Sequence, residues 1–268
     1  MKKYLSFFAM RFHVGLQYRA ALLGAVLTQL PWGIMECLAY QAFQEANPQA
    51  FPMELSAVVA YVWLKEAFFC LFTVWGNVDQ ELFQMILKGD VAYELCRPIS
   101  FYNMWFARVG AARIANAALR CVPILSVALF LPKPFRLNIP KSPEIVFLFV
   151  FTMILGVCVT VSFCMLVYTT AFFTISPEGI RLFSMSVVEF LSGSIIPIPF
   201  MPESVRTIVE WLPFAGMMNV PYRIFSGDLA GQEMVSAIGV QVFWFVGMLI
   251  CGKWLCKMAE RKIVIQGG

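Results

Sequence analysis

"EIVFLFVFTMILGVCVTVSFCMLVYTTAFFTI", residues 144–175, is a run of 32 residues with a single charge, Glu144, at its first position. A helix crosses the roughly 30 Å of bilayer hydrocarbon with about 20 apolar residues. This stretch therefore reads as a membrane span with length to spare, tilted or continued past the bilayer on its cytoplasmic side. The rest of the chain agrees: 60% of its 268 residues are hydrophobic, 13% are charged and the mean hydropathy is +0.75. A soluble domain carries about 25% charged residues, so this composition cannot be divided between a core and a water-facing surface. The class is an integral membrane protein.

The same ruler marks six candidate spans, 20–43, 54–78, 104–131, 144–175, 180–199 and 234–258, in one all-α transmembrane domain covering residues 1–268. The N-terminal "MKKYLSFFAMRFHVGLQYRA" has Arg11, His13 and Arg19 interrupting its apolar run and no small-residue cleavage site, so it is expected to be retained as an interfacial helix. Six spans put both termini on one side, and Lys and Arg decide which. With termini inside, twelve basic residues lie inside and five outside, the loop "LPKPFRLNIPK" being a local exception. The expectation is a multi-pass plasma-membrane protein with cytoplasmic termini and a cytoplasmic loop over residues 79–103.

That loop contains "QMILKGDVAYELCRPIS", residues 84–100. Leu82, Phe83, Ile86 and Leu87 recur at helical spacing with charge opposite, Gly89 breaks the helix, "DVAYEL" offers another turn and Pro98 ends it. A short amphipathic element between two spans can dock on a partner or rest on lipid headgroups. Beyond the fifth span, Pro197, Pro199 and Pro202 break the helix. Val205, Ile208, Val209 and Leu212 then form an apolar stripe on a short outer helix closed by Pro213.

Charges inside spans are expensive and therefore informative. Arg113, Asn116 and Arg120 share a face of the third span, and Glu36, Lys65, Glu66 and Glu189 lie in the first, second and fifth. The expected arrangement pairs the arginines with Glu36, Glu66 or Glu189 to hold helices in register. The alternative makes them a cavity wall facing an anionic or zwitterionic substrate. Gln41 and Gln241 are expected to make hydrogen bonds between helices.

Together, "LKGDVAYELCRPISFYNMWFAR", "SGSIIPIPFMPESVRTIVEWLPFAGMMNVPYRIFSGDLAG" and the terminal "IVIQGG" resemble the permease subunits of the type-2 ATP-binding-cassette (ABC) exporter family. The resemblance implies a six-span permease that pairs with a second permease, identical or related, and with two separate ATPase subunits. It also implies that the loop between the second and third spans carries a coupling helix seated on the ATPase. Its contact residues would be Leu87, Lys88, Gly89, Asp90, Val91, Tyr93, Glu94, Arg97 and Pro98, with Leu87 and Val91 as the inserted ridge. The outer helix with Val205, Ile208, Val209 and Leu212 would belong to an extracellular gate.

Other functions fit less well. No GxxxxGK[ST] occurs, so no phosphate cradle is built into this chain, and ATP with its Mg2+ is expected on the partner ATPase. His13 is the sole histidine, which excludes a histidine triad or a His-rich metal site. The eight cysteines show no CxxC spacing and read as small buried hydrophobes. Neither a cofactor in this chain nor a nucleic-acid partner is expected. The rival function is a secondary, ion-coupled transporter or channel using the intramembrane charges, although the matched broken helices of such proteins are not evident.

Overall fold

The computed structural model describes residues 2–17, 19–73, 77–96, 99–174 and 177–262. Among them the chain forms eleven α-helices and two short 3-10 turns. Helix α1 is Lys2–Gly15, α2 Arg19–Ala46, α3 Leu55–Phe72, α4 Asn77–Lys88, α5 Val91–Leu95 and α6 Phe101–Phe130. Then follow α7 Pro143–Ala171, α8 Pro177–Leu191, α9 Glu203–Trp211, α10 Asn219–Ser226 and α11 Gly231–Lys262.

Helix α3 is the centre of the bundle. Its apolar residues run round the whole circumference, and Ala57 to Ala67 are buried on every side, as an all-apolar helix requires. It packs on α2, α6, α7 and α10. One core, containing Tyr61, Leu64, Trp105 and Tyr168, joins α3, α6 and α7; another, containing Val58, Trp63 and Ile124, joins α2, α3 and α6. Local signals fix the long helices. Ser100 caps α6 by accepting from the Asn103 N–H at 3.5 Å, and Pro143 opens α7, where a missing N–H costs nothing.

Four helices, α3, α6, α7 and α11, are long and apolar enough to cross a membrane. Helix α2, with 28 residues, has the length. The fifth expected span does not extend over 180–199. Helix α8 has 15 residues, about 22 Å at 1.5 Å per residue, and stops at Leu191, well before the prolines expected to end it. The cause is Gly193, which turns the chain at φ +84°; a Cβ there would lie 2.5 Å from the Tyr61 hydroxyl. That hydroxyl donates to the Gly193 carbonyl at 3.0 Å. The second span also ends earlier than position 78, at Phe72, because the chain bends at Thr73 and restarts as α4.

Between α9 and α11 the chain re-enters the bundle. Ala215 to Ile224 are buried, and α10 packs on α3 and α7. Non-helical backbone at membrane depth has to be covered and satisfied by protein. Two features do this. Gly156 of α7 lets the Met217 carbonyl approach so closely that a Cβ would stand 2.2 Å from it. The Gln241 side-chain amide of α11 donates to the Gly216 carbonyl at 2.6 Å and to that of Thr152 at 3.2 Å. Gln241 thus joins α11, α7 and the re-entrant turn, whereas Gln41 bonds to Glu45 within its own helix.

Candidate functional site

The loop 79–103 folds as α4 and α5 joined at Gly89, whose φ of +78° takes the left-handed turn that glycine tolerates best. A Cβ at Gly89 would meet nothing within 4 Å, so this glycine serves backbone geometry rather than a tight contact. Leu82 and Phe83 are buried in the protein's own core, with the Phe83 ring edge-on to Tyr168 at 5.5 Å. The outward surface carries Leu87, 53% exposed, Lys88, Gly89, Asp90 and Tyr93, 78% exposed.

Val91 corrects the expected ridge. It is 2% exposed and belongs to the central core, and Glu94 is buried beside it. The reason is helical phase: α5 is a single turn, and the residues that face inward cannot also face a partner. Tyr93 is exposed where Val91 is not. Arg97 and Pro98 lie outside the described residues.

The first turn of α4 is held by a buried ionic network. Arg113 Nη2 of α6 donates to both carboxylate oxygens of Asp79, at 3.0 and 3.1 Å, and to Cys164 Sγ of α7 at 3.3 Å. Its Nη1 donates to the Leu71 carbonyl at 3.4 Å and to the Thr73 carbonyl, which caps the open C-terminal end of α3. The Tyr168 hydroxyl of α7 donates to Asp79. Nearby, Arg108 of α6 pairs with Glu81 on the exposed side of α4. The coupling-like loop is thereby tied to α3, α6 and α7 at one point.

This network corrects the expected pairing of Arg113 with Glu36, Glu66 or Glu189. Asp79 stands three and four residues before Leu82 and Phe83, on the apolar stripe. An acid on an apolar stripe has to meet a cation, and that signal was available. Tyr168 and Cys164 carried no such mark.

The other intramembrane charges do converge. Glu36, Lys65, Glu66, Arg120 and Glu189 line one groove of about 550 Å³ between α2, α3, α6 and α8. Lys65 Nζ bonds both Glu36 oxygens at 2.5 and 2.6 Å and lies 3.6 Å from Glu66. Arg120 makes no ion pair within 4 Å among the described residues, and its guanidinium borders Cys70. Asn116 is half-buried one turn below it.

On α9 the expected stripe divides. Val209 is buried against Ile198 and Ala215, whereas Val205 and Ile208 are exposed with Trp211. Leu212 lies just beyond the helix and is half-buried. The polar side is braced by Arg223 of α10, which pairs with Glu210 at 3.0 Å and Asp228 at 2.6 Å.

An all-helical bundle with span-length apolar helices and a buried re-entrant turn is a polytopic membrane protein. The family described as "ABC-2 family transporter protein" matches residues 53–267, from the start of α3 to the C-terminal end. The chain belongs to that family, whose members are membrane permeases of ABC transporters and act with ABC ATPase partners. No curated protein matches the chain.

Proposed function

We propose that this chain is the membrane half of an ABC exporter. It crosses the bilayer six times with both termini cytoplasmic, the short α8 together with the chain that follows it to Phe200 making the fifth crossing. It pairs with a second permease and couples to two ATPase subunits through α4 and α5. ATP and Mg2+ are handled by those subunits. The observation that carries this reading is the Asp79–Arg113 network, because a docking element can transmit force only if it is rigidly joined to the spans it moves. Here one carboxylate at the start of α4 joins the loop to three spanning helices.

The docking surface is Leu87, Lys88, Asp90 and Tyr93, which lie exposed around the turn between α4 and α5. The pathway wall is the groove with Glu36, Lys65, Glu66, Arg120 and Glu189. Charged side chains at membrane depth have to line water or be covered by protein. A second permease facing this groove supplies that cover and closes a polar route between the two copies. Helices α9 and α10 form the outer gate, with Val205, Ile208 and Trp211 meeting the partner or lipid.

The test is a single cysteine at Tyr93 on a cysteine-free background, co-expressed with the cognate ATPase. A short bifunctional reagent should join the two chains, and Leu87→Asp should uncouple ATP hydrolysis from transport while the permease remains inserted and folded. If Tyr93→Cys forms no adduct and Leu87→Asp leaves coupled transport normal, the segment only faces headgroups and the coupling assignment fails.

A further inference from the structure

Two recesses away from the charged groove meet near the first turn of α6. The first is polar, about 480 Å³, and lies between the start of α6 and the last turns of α11; it is lined by Ser100, Tyr102, Asn103, Lys253, Lys257 and Glu260. Lys253 and Lys257 are one helical turn apart on α11, and neither makes an ion pair among the described residues. The recess also faces the N-terminal end of a 30-residue helix, where the backbone dipole favours negative charge. Tyr102, 3% exposed, has a hydroxyl with no hydrogen-bond partner among the described residues. A buried unsatisfied hydroxyl is a cost that a native fold rarely leaves unanswered.

The second recess is an apolar crevice of about 560 Å³ between α6 and α7, floored by α3 and closed at one end by α1; Leu5, Phe8, Phe106, Ala118 and Met153 line it. The walls of the two recesses touch. Tyr4, on the wall of the crevice, accepts through its hydroxyl from the Ser100 N–H of the polar recess at 3.1 Å. Tyr102 of the polar recess lies against Phe106 of the crevice with ring centroids 6.2 Å apart.

We propose that these paired recesses hold one anionic phospholipid of the surrounding bilayer, its phosphate between Lys253, Lys257 and the Tyr102 hydroxyl and an acyl chain in the crevice. The chemistry of the two parts selects this occupant. A free phosphate has no use for the crevice, a neutral lipid none for the lysines, and a basic recess between spanning helices at the membrane face suits an anionic headgroup. The inference rests on the chain lying in a bilayer and not on the exporter reading.

The purified full-length chain would be titrated with phosphatidylglycerol, with phosphatidylcholine of the same acyl chains and with inorganic phosphate, and the bound species counted by native mass spectrometry. Phosphatidylglycerol should be retained over phosphatidylcholine. Each lysine is worth about fivefold, so Lys253→Ala with Lys257→Ala should weaken phosphatidylglycerol about twenty-five-fold, and the paired arginine variants should restore it. Ala118→Phe, which fills the crevice, should weaken both lipids and leave phosphate unchanged. Equal retention of the two lipids, or indifference to the lysine pair, overturns the proposal. So does phosphate binding with the full lysine dependence while Ala118→Phe changes nothing, which would mark a simple ion recess. Should the alanine pair keep its lipid and lose the ATPase instead, the lysines are a protein contact and the proposal fails.

Discussion

Removing the Asp79 charge tests the point on which the proposed coupling depends. Asp79→Asn preserves the shape of the side chain and removes the carboxylate charge to which Arg113 donates twice in a fully buried position. Breaking a buried pair from one side costs roughly 3–5 kcal/mol, because the remaining charge is stranded. Arg113→Met should cost a similar amount, since Asp79 would then keep only the Tyr168 hydroxyl among the contacts described above. Combining the two changes removes both charges, so the double variant should lose clearly less than the sum of the singles, with a coupling of roughly 1–3 kcal/mol. The assay is thermal unfolding of the purified protein in one detergent, followed by fluorescence-detected gel filtration, for the wild type, both singles and the double. Each single variant should melt roughly 10 °C lower. Strictly additive losses, or an Asp79→Asn protein that melts with the wild type, would refute the claim that this pair anchors the loop.

Two further outcomes follow from close contacts. Gly156→Val should abolish folding or strongly reduce the yield of inserted protein, because even a Cβ would sit 2.2 Å from the Met217 carbonyl; normal yield and melting would show that the re-entrant turn does not pack there. Lys65→Met should destabilise the protein by roughly 3–5 kcal/mol by leaving Glu36 and Glu66 without their cation, and adding Glu36→Gln should recover part of the loss in the same melting assay. A stable Lys65→Met protein would mean that water already solvates the groove.

Much of the fold was legible because hydrophobic periodicity and length report burial directly. Helices α3, α6, α7 and α11 stand where apolar runs of the required length occur. The interruption after α8 was misplaced because prolines are conspicuous in a sequence, whereas the decisive residue was Gly193, whose left-handed turn depends on Tyr61 from a helix 132 positions away. The charged groove was legible in its members and not in its pairings. Glu36, Lys65, Glu66, Arg120 and Glu189 were conspicuous because charge is rare in spans, yet which cation meets which acid depends on helix rotation and depth. That Asp79 needs a cation was legible from its place on the apolar stripe, but the identity of that cation was not, since its partner lies 34 positions further on.

In the proposed exporter, the arrangement of the two charged centres bears on how a movement at the docking loop would reach the pathway. Arg113 and Arg120 are on the same helix seven residues apart, about 10 Å along its axis, so α6 carries the loop anchor at one level and a wall of the groove two turns above. Helix α3 is built in the same way. Its terminal carbonyls at Leu71 and Thr73 are gripped by Arg113, and Lys65 and Glu66 sit two turns back in the groove. A displacement of α4 that pulls on Asp79 would therefore load both groove-forming helices through one guanidinium, and a stiff helix passes such a load without needing a chain of rearranging side chains. Helix α7, tied to the same carboxylate by Tyr168, also carries Gly156 against the re-entrant turn. In the proposed exporter the outer gate would therefore hang on the same anchor as the groove, and its three parts would move together because one buried ion pair joins their supports.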